Sequence, residues 1–120
     1  MRMTLLTPTV RRQLLANGEA QAAVRGGPDE LDLQPVVKLF TPDAGATWLL
    51  TELDPDDPDL AFGLCDLGLG CPELGHVSLG ELARLRGRMG LPVERDLHWK
   101  ATAPLSVYAA RARKLGYIQT

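Results

Sequence analysis

Two cysteines and two histidines, Cys65, Cys71, His76 and His98, are the residues whose types bind metals or drive thiol chemistry. Thiolate and imidazole suit a closed tetrahedral zinc site. Their spacing opposes one. Structural zinc sites draw paired ligands about two to four residues apart, whereas five residues separate Cys65 from Cys71 and four separate Cys71 from His76. Cys65 with Asp66, Glu73 and His76 also has the composition of a nucleophilic thiol site. Such a site needs a base held against the sulfur and a depressed thiol pKa, and nearness in sequence supplies neither. The thiols therefore read as a core residue at Cys65 and a loop residue at Cys71. No metal, no cofactor and no catalytic residue is expected.

The stretch Asp54-Pro55-Asp56-Asp57-Pro58-Asp59 sets four carboxylates within six residues. As a cation loop it lacks the central glycine and the closing glutamate of an EF-hand. Two readings remain. One is a solvated hairpin tip that blunts a sheet edge. The other is a docking surface of Asp54, Asp56, Asp57 and Asp59 with Glu52 at its base, stiffened by its prolines so that little entropy is lost on binding. A partner for such a surface would be a basic protein that handles nucleic acid.

Charge is segregated along the chain. Residues 1–28 carry four bases against one acid, residues 29–81 twelve acids against one base, and residues 82–120 eight bases against two acids. Segregation of this kind either neutralises itself on folding or makes faces of opposite sign. Arg84, Arg86, Arg88, Arg111, Arg113 and Lys114 form the basic set that would touch phosphates if the chain bound nucleic acid. Few aromatics accompany them, and the pI is about 5.6. Gly63, Gly68 and Gly70 complete neither of the two common phosphate-loop patterns; they read as turn glycines.

The elements that must position these groups are legible from local signals. Thr7-Pro8 is a helix start, with Val10 and Leu14 facing inward and a stop expected at Asn17-Gly18. Residues 25–34 read as an exposed loop. Val36–Thr41, Trp48–Leu53 and Leu60–Asp66 read as strands of a meander. In the second, Leu49, Thr51 and Leu53 should share one side, and Trp48, Leu50 and Glu52 the other. His76-Val77 suggests a short fourth strand and Asp96–Lys100 a fifth. Ser78-Leu79-Gly80-Glu81 is a capping box that opens a helix, bounded by Gly87 and Gly90. Pro104–Leu115 is the last helix, with bases where its dipole favours them.

One α+β domain over residues 1–120 follows, a small antiparallel sheet of three to five strands with three helices packed on one face. Its core should hold Leu39, Trp48, Leu50, Leu64, Leu82, Leu85, Trp99, Leu105, Tyr108 and Leu115. No apolar run is long enough to span a membrane, and no secretory leader is apparent. A cytoplasmic protein is expected.

Read together, PVVKLFTPDAGATWLLTELDPDDPD, AFGLCDLGLGCPELG, VSLGEL and GLPVERDLHWKATAPLS resemble a family of short bacterial proteins known only as domain of unknown function two-nine-five-eight. The resemblance spans about residues 4–118. It implies a place among the conjugation, partition and antirestriction genes of plasmids and integrative elements. The expected function is thus a non-enzymatic accessory role in counter-defence, antirestriction or anti-CRISPR-like, exerted by binding a protein. A nucleic-acid-binding module in plasmid maintenance or transfer is the alternative, and a small metal or thiol enzyme the third class.

Overall fold

The computed structural model describes residues 5–120. Helix α1 (Pro8–Ala22) leads into strands β1 (Val37–Phe40), β2 (Thr47–Leu53), β3 (Leu60–Asp66) and β4 (Glu73–Ser78). Helix α2 (Leu79–Arg84), the two-residue strand β5 (Glu94–Arg95) and helix α3 (Leu105–Leu115) follow. The five strands form one antiparallel sheet in the order β4-β3-β2-β1-β5. The meander is as expected, and the fourth strand is longer than His76-Val77. The fifth lies at Glu94–Arg95 rather than Asp96–Lys100, where Asp96 only donates its N–H to the Lys38 carbonyl.

The helices do not share one face of the sheet, contrary to the sequence expectation. Leu14 of α1 and Leu79 and Leu82 of α2 pack with Trp48, Leu50, Leu53 and Ala61. Leu105, Tyr108, Ala109 and Ala112 of α3 pack with Leu49 and Leu64. Neighbouring residues of a strand point to opposite sides, so Leu49 and Leu50 open two separate cores. The physical reason is the composition of β2, TWLLTEL, in which every residue after Thr47 is buried. A strand apolar on both sides needs cover on both sides.

A β-bulge breaks the alternation. Leu50 pairs with Gly63 and Glu52 with Phe62, leaving Thr51 as the extra residue. Leu53 therefore joins Leu50 in the α1 core, while Glu52 moves to the side of Phe62 and Leu49. That reverses the side expected for both residues. Gly63 permits the irregularity: a Cβ there would sit 1.9 Å from the Leu49 carbonyl oxygen.

Helix α1 runs four residues past its expected stop. Gly18 is a contact residue, not a terminator. A Cβ on it would lie 1.8 Å from the Leu53 carbonyl oxygen, and Asn17 Nδ2 donates to the Thr51 carbonyl at 2.9 Å. Glycine inside a helix costs about 1 kcal/mol, which the close docking on β2 offsets. Of the expected core, Leu85 and Trp99 are only half-buried and Leu115 is 43 % exposed. Leu115 occupies the last turn of α3. Gly116 ends that helix at φ 84°, the left-handed region glycine favours.

Candidate functional site

The acidic turn joins β2 to β3, and its backbone is built by its own carboxylates. Asp54 Oδ1 accepts from the Asp56 N–H at 2.8 Å and Asp57 Oδ1 from the Asp59 N–H at 3.3 Å. Asp59 reaches further. Its Oδ1 accepts from the Gly80 N–H at 2.9 Å, and its Oδ2 lies 2.5 Å from the Ser78 hydroxyl. The Ser78 hydroxyl in turn accepts from the Glu81 N–H. The expected cap at Ser78 is present, and Asp59 completes it from the β2–β3 turn. These bonds hold the Asp59 carboxyl below its ordinary pKa, the Ser78 hydroxyl contributing most and the Gly80 N–H next. Asp54 is half-buried, and Asp56, Asp57 and Asp59 are exposed.

Glu52 stands apart from that turn. It is 3 % exposed, and its Oε2 accepts from Arg25 Nη2 at 2.9 Å. The Thr51 hydroxyl lies 3.1 Å from Oε1. A carboxylate this deep needs a partner, because desolvation of an unpaired charge costs several kcal/mol. Arg25, half-exposed at 49 %, supplies it from the loop after α1. Glu52 is thus a structural anchor under the acidic end, not part of its exposed surface. Sequence reasoning missed Arg25. The available signal was a lone charge in an otherwise apolar buried strand, which demands a counter-charge.

A cleft of about 190 Å³ opens beside this pair, lined by Gln21, Glu30, Thr51, Glu52, Phe62 and Leu74 among others. Pockets for drug-sized ligands start near about 300 Å³, so the cleft is small for an organic substrate. Gln21 closes one wall. Its side-chain amide donates to the Leu31 carbonyl at 2.8 Å and accepts from the Leu31 N–H at 2.9 Å. Asp32, in the same loop, caps α3. Its Oδ1 accepts from the Ser106 N–H at 3.1 Å, and its Oδ2 bonds the Ser106 hydroxyl. Residues 25–34, expected as an exposed loop, are thus tied at both ends while all but Leu33 remain exposed.

The basic set is divided. Arg84 belongs to α2, with Arg86 and Arg88 just beyond it, on the α1 side of the sheet. Arg111, Arg113 and Lys114 belong to α3, on the other side. All six are exposed. Arg86 turns back on its own helix, donating to the Ala83 and Leu85 carbonyls, and the Arg111 guanidinium lies 6.0 Å from the Tyr108 ring centre. The fold does not gather them into one phosphate-binding stripe.

Cys65 is half-buried on β3, and burial pushes its thiol up to about 11, away from thiolate chemistry at neutral pH. Cys71 is exposed in the loop before β4. His76 packs edge-on against Phe62, ring centres 5.1 Å apart, and His98 follows β5 at the opposite edge of the sheet. Among the described residues, no three His, Cys, Asp or Glu side chains group as a metal site requires, and no helix is long and apolar enough to cross a membrane.

Neither a curated protein nor a solved structure matches the chain. One family model matches residues 5–119, under the description "Protein of unknown function (DUF2958)". With nearly its whole length matched, the chain belongs to the DUF2958 family.

Proposed function

We propose that this protein is a non-enzymatic accessory factor of plasmids or other mobile elements. It acts by holding a basic, nucleic-acid-handling protein of a host defence system, of restriction or CRISPR type. The surface is the turn of Asp54, Asp56, Asp57 and Asp59. The observation that carries this reading is that the turn is fixed before any partner arrives. Its carboxylates bond its own backbone N–H groups and the start of α2, and Pro55 and Pro58 restrict it further. Little ordering entropy is then lost on docking, and clustered exposed carboxylates steer a basic surface toward the turn. Glu52, paired with Arg25, serves as the foundation of that surface.

The test is capture from a bacterial lysate at low salt on the immobilised protein, followed by mass spectrometry and competition with duplex DNA. A nucleic-acid-binding protein released by both salt and DNA is the expected result. Retention of duplex DNA by the protein alone, with no protein captured, would replace this reading with the nucleic-acid-binding module.

A further inference from the structure

The two edges of the sheet are finished differently. At one edge β1 is covered by β5, and Lys38 and Asp96 place opposite charges 3.7 Å apart there. At the other edge is β4, Glu73–Ser78, paired with β3 along its full length. Every second N–H and C=O of a strand points away from its neighbour. Among the described residues, none bonds the outward backbone groups of residues 73–77. Proteins blunt such an edge with lysine, proline, a bulge or a covering segment. β4 has one charge, Glu73, at its first position, and no lysine or proline. Leu74 is 46 % exposed on it.

We propose that β4 is a dimer seam, paired antiparallel with β4 of a second copy about a two-fold axis through Gly75. This goes beyond the proposed function and does not depend on it. A two-fold normal to the sheet keeps the α3 sides together. Leu74 of one copy then opposes His76 of its mate, Gly75 opposes Gly75, and Glu73 opposes Val77. Leu74 and His76 belong on one side, because their β3 partners Leu64 and Phe62 both pack toward α3. No like charges face each other, which would destabilise the pairing, and the isologous contact closes at two copies.

Charge along the strand direction favours the same occupant. The C-terminal end of β4 adjoins the acidic turn through Asp59 and Ser78. Its N-terminal end adjoins the close of α3, where a Cβ on Gly116 would lie 3.6 Å from the Gly70 carbonyl and Arg113 and Lys114 occupy the last turn. Antiparallel pairing sets the acidic end of each copy beside the basic end of the other.

Light scattering with sedimentation velocity tests this on the full chain. The wild type should have twice the 13.0 kDa chain mass. Leu74→Lys/His76→Lys sets lysine against lysine across the seam twice and should be monomeric with an unchanged circular dichroism spectrum. Leu74→Lys/His76→Glu sets each introduced lysine against an introduced glutamate of the mate and should remain dimeric. A monomeric wild type, a dimeric Lys/Lys variant or a monomeric Lys/Glu variant would overturn the seam. Should the Lys/Lys variant fail to fold, amide exchange in wild-type β4 decides: protection must rise with protein concentration, and protection independent of concentration rejects the dimer.

Discussion

The two ends of the sheet use the same chemistry at different depths. At the β2–β3 end, Asp54, Asp57 and Asp59 accept backbone N–H groups and remain half-buried or exposed. At the far end, Asp66 and Asp43 also accept backbone N–H groups and, like Asp59, each ties distant segments together, but Asp66 is buried and Asp43 half-buried. Asp66 is 3 % exposed; its Oδ1 takes the Gly68 N–H and its Oδ2 the Ile118 N–H. Asp43 Oδ2 takes the Met89 and Leu91 N–H groups, and its Oδ1 sits where a Cβ on Gly87 would be. That end also exposes apolar side chains beside the bases that close α3, with Leu69 at 80 % and Leu67 at 61 %. An aspartate in a turn thus does not declare its role. Its exposure decides whether, besides accepting N–H groups, it leaves charge at the surface.

Asp66 carries the largest expected effect. Asp66→Ala should cost about 3 kcal/mol in urea unfolding, because it leaves the buried Ile118 N–H without an acceptor. A cost near zero would mean that the far end is not held by its carboxylates. Asp59→Ala comes next, and it should lower the thermal midpoint at neutral pH by less than Asp66→Ala does. The folded pKa of Asp59 lies below its ordinary value, so its contribution is present above that value and is lost as pH falls through the folded pKa. Wild type and variant should therefore converge in acid; a gap independent of pH would assign the effect to packing. A thiol probe sharpens the comparison without touching stability. Near neutral pH, Cys71 should label first, while Cys65, half-buried and pushed up to about 11, should label more slowly and speed up on unfolding.

Much of this fold was legible in local sequence. The capping serine at Ser78, the prolines within the acidic turn and the β-rich meander each act within a few residues of themselves. The two-sided cover was not, although TWLLTEL hinted at it: a strand buried on both sides departs from simple alternation, and the bulge at Thr51 then exchanged the sides of Glu52 and Leu53. Bulge placement depends on the facing Gly63, one strand away. The helix running through Gly18 likewise depends on the Leu53 carbonyl. Within the candidate site, the acidic turn was readable because its residues are contiguous. The Arg25–Glu52 pair and the Asp32 cap of α3 join residues far apart in the chain; the lone charge of β2 signals that a counter-charge exists but not which residue supplies it.

The central claim is that the acidic end presents charge to a partner rather than only turning the chain. Asp56→Lys/Asp57→Lys tests it most directly, because Asp56 and Asp57 are exposed and neither caps α2. The measurement is the affinity of the captured basic protein for wild type and for this variant at low salt, with the thermal midpoint as a control on folding. The midpoint should stay near that of wild type and binding should be lost. A variant that folds normally and binds that protein as tightly as wild type would contradict the central claim.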